Sequence, residues 1–223
     1  MTLPFVAAIA AAAAVFAQTA AAPAVHPVSG RRLANVMGWQ GADWLERPER
    51  ELEEEPDKAL DALGDLRDAT VADVGAGSGY FTVRLAARVG PKGRVYANDI
   101  QPEMLKMLGA RLARERIGNV TLVQGRIDDP RLPPSSLDLV LMVDVYHEFS
   151  EPQRMLRAVR AALKPDGRLV LLEYRREDPA VPIRPEHKMS IAEAKLELES
   201  EGFSLARVDS RLPRQHILVF GRK

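Results

Sequence analysis

Val71-Ala-Asp-Val-Gly-Ala-Gly-Ser-Gly-Tyr80 runs from a β-branched, apolar segment into glycines at alternate positions, Gly75, Gly77 and Gly79. A helical pattern follows, with Phe81, Leu85 and Val89 on one face. A second strand pattern, Arg94-Val-Tyr-Ala-Asn98, ends in Asp99. Strand, glycine turn, helix, strand and terminal acid make a nucleotide-cradling βαβ unit. The glycines let the backbone turn tightly and let a ligand approach without Cβ interference. Free N–H groups at the helix start favour electron-rich ligand atoms. Asp99, at the carboxyl end of its strand, can accept both hydroxyl protons of a ribose.

Outward from this unit the alternation continues. Strands are predicted at 70–75, 94–98, 120–124, 137–143 and 167–174, and helices at 79–89, 102–114 and 152–163. Pro102 and Pro152 stand where a first helical turn tolerates proline. Runs such as Leu139-Val-Leu-Met-Val143 suit strands covered on both faces. The order predicts an α/β fold with a doubly wound, mostly parallel sheet. The tail departs from it. After a helix pattern at 190–200, Phe203–Asp209 and His216–Phe220 are joined by a short Leu212-Pro213 turn. Strands so closely joined must be antiparallel, because a parallel return needs a crossover.

Upstream, 24–41 has no clean period; Trp39, Trp44 and Leu45 are its expected apolar anchors. Residues 47–63 read as helix interrupted at Pro56, and the acidic run Glu51–Glu55 reads as a solvated face. Leu3–Phe16 is apolar and alanine-rich, and small residues precede Pro23, the pattern of a secretory signal, although no Lys or Arg precedes the apolar run. The run is shorter than the roughly 20 apolar residues of a membrane span. The expectation is a periplasmic or secreted protein, with cytoplasmic as the alternative.

The 223 residues suit one domain with an extension, and 46% apolar and 28% charged residues are the proportions of a globular protein. Lys+Arg and Asp+Glu number 31 each, which argues against a nucleic-acid enzyme with a basic stripe. With no cysteine, disulfides, thiolate nucleophiles and Cys-ligated zinc are excluded.

The glycine spacing is not the dinucleotide G-x-G-x-x-G. It is Asp73-x-Gly75-x-Gly77-x-Gly79, with an acid two residues before the first glycine. This resembles motif I of the class I S-adenosylmethionine-dependent methyltransferases. A carboxylate in the turn serves a cationic, amine-bearing ligand and not a phosphate. Further landmarks are Val95–Leu105, Asn119–Gly125, Leu137–Met142 and Leu163–Leu169. From about Thr70 onward the chain is similar to the superfamily that includes the ubiquinone/menaquinone-type C-methyltransferases. The resemblance implies a seven-stranded Rossmann-like sheet, ordered 3-2-1-4-5-7-6, closed by an antiparallel C-terminal hairpin. Together with the N-terminal pattern, it divides the chain into an expected signal peptide (1–22), an N-terminal extension whose helices cover the site (23–66) and a methyltransferase domain (67–223).

The resemblance also implies roles. Asp73 should organise the methionine amine of S-adenosylmethionine, directly or through water. Gly75, Gly77 and Gly79 should floor the cofactor, Asp99 should hold the ribose and Ile100 should pack on the adenine. At the adenine edge, the choice between Asp128 and a backbone contact at Ile127 stays open. Asp144 should lie where the methionine end meets the substrate.

Methyl transfer from a sulfonium chiefly needs positioning; a base is needed only for a protonated acceptor. Tyr146, His147 and His187 are the catalytic candidates, with His147 the best base for neutral pH. A metal held by His147, His187 and His216 is not expected, for want of a closely spaced ligand pair. The expected function is methyl transfer to a small molecule. The rivals are a nicotinamide-dependent oxidoreductase and a non-catalytic S-adenosylmethionine-binding protein.

Overall fold

The computed structural model describes residues 24–223; the segment read as a signal peptide lies outside them. The strands are β1 (Thr70–Val74), β2 (Arg94–Asp99), β3 (Val120–Gln124), β4 (Leu137–Val143), β5 (Leu163–Tyr174), β6 (Phe203–Asp209) and β7 (Gln215–Arg222). They form one sheet in the order β3-β2-β1-β4-β5-β7-β6. The first five pair in parallel. β7 inserts antiparallel between β5 and β6.

Three short helices precede the sheet: α1 (Ala42–Leu45), α2 (Arg50–Glu54) and α3 (Pro56–Asp61). The break at Pro56 falls where the sequence places it, with Glu55 at φ 45°. Helices α4 (Thr82–Val89), α5 (Pro102–Glu115) and α6 (Pro152–Ala162) connect the parallel strands, and α7 (Ile191–Ser200) precedes the hairpin. Proline opens α3, α5 and α6, where its missing N–H costs no helical bond. Ser190 and Glu193 close a reciprocal capping box on α7.

Within the parallel βα units, two boundaries shift by more than two residues from the sequence expectation. α4 starts at Thr82, not at 79, because Gly79 sits at φ 94°, outside helical backbone. β5 starts at Leu163 because Leu163 pairs with Leu137 ahead of a register shift.

Side chains alternate along β4. Leu139 and Leu141 join Leu60, Leu85 and Val89 on one face. Val140 and Met142 join Leu156, Val159 and Leu198 on the other. A sheet covered on both faces leaves the carboxyl ends of its parallel strands as the open crevice, the place where such sheets bind ligands. No helix among the described residues is long and apolar enough to cross a membrane.

Candidate active site

A cavity of about 710 Å³ opens at the carboxyl ends of β1, β2 and β4. Val74, Gly75 and Gly77 give its floor, and Asp99, Ile100 and Ile127 one wall. Asp144, His147, Glu148 and His187 give the opposite wall. Leu33, Met37, Trp44, Leu45 and Arg50 contribute from the N-terminal side.

Asp99 is held by the backbone it faces. Its Oδ2 accepts from Gly77 N at 2.9 Å and its Oδ1 from Gln101 N at 2.9 Å. Burial raises its pKa and these N–H donors oppose the rise. A carboxylate has about four lone-pair sites, so both oxygens keep capacity for further donors. Gln101 in turn clamps the N-terminal segment: its Nε2 donates to Met37 O at 3.0 Å and its Oε1 accepts from Trp39 N at 2.8 Å.

The remaining expected ligand residues divide. Ile100 and Ile127 line the cavity, and Ile127 is 58% exposed. Asp128 is not among the lining residues; it pairs with Arg154 at 3.2 Å. Asp73 does not reach the cavity either. Its Oδ2 accepts from Thr82 Oγ1 at 2.6 Å, so it ties β1 to the start of α4, and burial pushes its pKa up to about 6. Alternation along β1 aims Asp73 at α4 instead of the ligand crevice. Gly79 is a packing glycine: a Cβ there would overlap Leu108 Cδ1.

Asp144 has the most unusual environment. It sits at φ 49°, a region costly for a non-glycine residue. Its Oδ2 accepts from Gln215 Nε2 at 2.7 Å, while its buried Oδ1 has no hydrogen-bond partner among the described residues. Burial first, then Glu54 and Glu173, raise its pKa well above the usual carboxylate range. An open, buried carboxylate oxygen in a ligand crevice suits an ammonium or sulfonium group.

Of the catalytic candidates, Tyr146 is absent from the cavity lining. Its side chain is fully buried and its hydroxyl lies 3.4 Å from His26 Nε2. Neighbours in the turn Tyr146–Glu148 point in different directions, so Tyr146 enters the core while His147 faces the cavity. His147 Nδ1 lies 2.6 Å from Glu173 Oε2, and its Nε2 lies 3.1 Å from His187 Nδ1. Glu173 Oε1 accepts from Tyr146 N at 3.1 Å. Glu173 therefore fixes both the ring and the turn that carries it. Glu148 Oε1 is 3.7 Å from His187 Nδ1, and burial pushes its pKa up to about 7. Burial lowers the pKa of His187, with His147 acting the same way. The ligand atoms of His147, Glu148 and His187 all lie within 4.8 Å of one another. His216 stands apart, 3.0 Å from Glu177.

Several contributors escaped the sequence reading. The acidic run is not a solvated face: Glu54 is fully buried between Arg50 (2.7 Å), Arg47 (3.0 Å) and the Tyr174 hydroxyl (2.9 Å). Glu51 bonds to Tyr80 and Arg84. Arg50 stacks 4.2 Å over the Tyr80 ring and reaches the cavity. Arg50 and Arg47, four and seven residues before Glu54, were the available sign. Glu173, an acid inside the apolar run Leu169–Tyr174, was another. The tryptophans are not buried anchors: Trp39 and Trp44 are 41% and 45% exposed, and Trp44 carries Arg47 over its ring. Arg175 and Arg176 bond to backbone carbonyls at Leu212 and Lys188 and do not line the cavity.

Residues 71–167 match the family model described as "Methyltransferase domain". Over 116 residues the chain is 34% identical to the ubiquinone/menaquinone biosynthesis C-methyltransferase UbiE of Escherichia fergusonii, covering 52% of this chain and 46% of that one. The chain thus spans about half the length of the curated relatives it matches. Its structure superposes on a SAM-dependent methyltransferase from Aquifex aeolicus with a TM-score of 0.77 and 29% identity, covering 83% of this chain and 98% of that one. The mitomycin 7-O-methyltransferase MmcR shares the fold at a TM-score of 0.67 and 20% identity, over 83% of this chain and 60% of its own. Residues 71–167 thus match a methyltransferase domain, and the sheet order and terminal hairpin make the chain similar in fold to S-adenosylmethionine-dependent methyltransferases.

Proposed function

We propose that the protein transfers the methyl group of S-adenosylmethionine to a small-molecule acceptor held between the cofactor and the His147–His187 pair. The observation that carries the reading is the Asp99 carboxylate, locked at the end of β2 by the N–H of Gly77. There it accepts the ribose hydroxyls, Ile100 and Ile127 flank the adenine, and Asp144 faces the cationic methionine end. Arg50, buried beside Tyr80, supplies the cation for the carboxylate of that same end.

Methyl transfer from a sulfonium donor is an in-line displacement, so the cavity walls contribute chiefly by alignment. An acceptor hydroxyl or enol must also lose its proton. It does so beside His147, whose ring orientation Glu173 fixes at 2.6 Å. The apolar contribution of Leu33, Met37 and Trp44 to the cavity suits an acceptor with a hydrophobic body. The balanced charge of the chain supports a small acceptor over a nucleic acid.

Calorimetry tests the reading directly. S-adenosylhomocysteine should bind and NADH should not. Asp99→Ala should weaken S-adenosylhomocysteine roughly 100-fold, the loss of two hydrogen bonds to a charged acceptor; equal affinity in the variant would reject the assignment. His147→Ala should lower turnover roughly 100-fold or more with unchanged cofactor affinity. Residues 1–22 we read as an export signal, supported by the apolar run and the small residues before Pro23. Mass spectrometry of protein recovered from its native host should then find an N-terminus near Pro23; an intact Met1 would sink that reading.

A further inference from the structure

Two imidazoles and a carboxylate converge on one point of the cavity wall. His147 Nε2 and His187 Nδ1 are 3.1 Å apart. Two nitrogens bound to the same tetrahedral cation, each about 2.05 Å from it, lie roughly 3.3 Å apart. The pair is thus already spaced as a chelate edge. Glu148 Oε1, 3.7 Å from His187 Nδ1 and within 4.8 Å of the His147 ligand nitrogen, offers the third donor. Glu148 has no Lys or Arg partner among the described residues, and the His187 ring faces it.

The surroundings carry a second, independent feature. Metal-bound histidines commonly give their other ring N–H to a carboxylate, which fixes the tautomer and aims the free lone pair. Glu173 does this to His147: its Oε2 accepts from Nδ1 at 2.6 Å, leaving Nε2 to face His187. Glu173 is itself fully buried and held by Tyr146 N at 3.1 Å. His187 enters from the turn Pro185–His187, so the donors come from two separate segments that meet only in the fold. All three ligand residues line the cavity, which leaves the fourth position of a tetrahedral ion open to a small molecule.

We propose that His147, Glu148 and His187 bind one divalent transition-metal cation of the zinc type, with Glu173 orienting His147. Two nitrogen donors and one carboxylate suit zinc and its neighbours and disfavour magnesium, which prefers oxygen donors. The inference rests on the methyl-transfer reading for its purpose. The cation holds the acceptor oxygen in its open position and lowers the pKa of that hydroxyl. The O–H bond breaks and its proton passes to water. The oxygen then forms a bond to the methyl carbon while the carbon–sulfur bond breaks, and the thioether product leaves with the electron pair. In the loaded enzyme His147 Nε2 is a ligand, and the cation takes the place of a general base.

Cobalt(II) is the probe, because its visible absorption reports tetrahedral coordination. Protein stripped with a chelator should bind one equivalent of cobalt with an intense visible band, displaced by zinc. Glu173→Gln should weaken binding by roughly 10–100-fold, as for the loss of a supporting partner. His187→Ala and Glu148→Gln should lose more than that, while His216→Gln should bind like the parent. S-adenosylhomocysteine binding, measured on every variant, checks that each is folded. Absence of saturable cobalt binding, or binding unchanged in His187→Ala, overturns the metal site. If cobalt fails while S-adenosylhomocysteine binds, the methyltransferase reading stands and the metal falls. If cobalt binds while S-adenosylhomocysteine does not, the reverse holds.

Discussion

Asp73 carries a fully buried carboxylate whose pKa burial lifts from 3.8 to about 6, against the bond from Thr82. The native state therefore holds its proton more tightly than the unfolded chain. Stability from this group is complete below pH 3.8 and falls as pH rises through about 6, above which the cost is constant. The rise from 3.8 to about 6 corresponds to roughly 3 kcal/mol. Asp73→Asn keeps an acceptor for Thr82 and removes the charge. Urea denaturation of the ligand-free protein should show the variant gaining on the parent between about pH 4 and pH 6, toward 3 kcal/mol, and level beyond; a difference flat across that range would refute the account. Asp73 also marks how far single residues can be read ahead of the fold. Asp99 was legible because a strand's last residue lies at the ligand crevice whatever its rotamer. Asp73, Asp128 and Tyr146 were not. One position or one turn angle decides whether each side chain faces the cavity, Thr82, Arg154 or His26.

The segment before α1 is tied to α7 by a buried ion pair that no local pattern announces. Arg31 Nε and Nη2 donate to Glu197 Oε1 and Oε2 at 2.9 and 3.0 Å, and Arg31 Nη1 reaches the His147 carbonyl at 3.2 Å. Ser29 adds a bond to Glu197 at 2.5 Å. Removing one partner strands a charge. Arg31→Met should cost about 3–5 kcal/mol in denaturant melts, and Arg31→Met with Glu197→Leu should recover most of it. A double variant as unstable as the single would show that packing, not charge, holds the segment. Gly79→Ala belongs to the same level: its Cβ would overlap Leu108 Cδ1, which must shift, and φ 94° strains any residue with a Cβ. That should cost about 1–3 kcal/mol with unchanged sheet content by circular dichroism. The elements this variant disturbs were readable, because strand and helix periods repeat within one segment. The course of residues 24–66 was not, since it depends on Arg31–Glu197, Tyr174–Glu54 and Gln101–Met37, partners far apart in the chain.

Around the cavity the fold gathers more buried acids than bases. Asp99, Asp144 and Glu148 all have raised pKa values, burial being the leading cause, and Glu54 and Glu173 are fully buried beside them. Arg50 is the buried arginine of the cavity lining; Arg32, Arg126 and Arg184 also line it but are exposed. Burying uncompensated carboxylates destabilises the native chain. A ligand that brings an ammonium group and fills the crevice relieves that cost while binding only the native state. S-adenosylhomocysteine keeps the methionine ammonium and the ribose, so it should stabilise the protein as a whole and not merely locally. At 100 times its Kd the linkage gain is about 2.7 kcal/mol. For a domain of this size each kcal/mol moves Tm by about 2–4 °C, so the midpoint should rise by roughly 5–11 °C. NADH at the same concentration should move it by less than about 1 °C, because its pyrophosphate would bring anions against the buried carboxylates of Asp99 and Asp144. Asp99→Ala should abolish the rise with S-adenosylhomocysteine while leaving the ligand-free midpoint close to the parent's, since removing a buried acid offsets the lost Gly77 bond. A scan in which both ligands shift the midpoint equally, or in which Asp99→Ala responds like the parent, would mean that the acids at this crevice are not arranged around a cationic nucleoside.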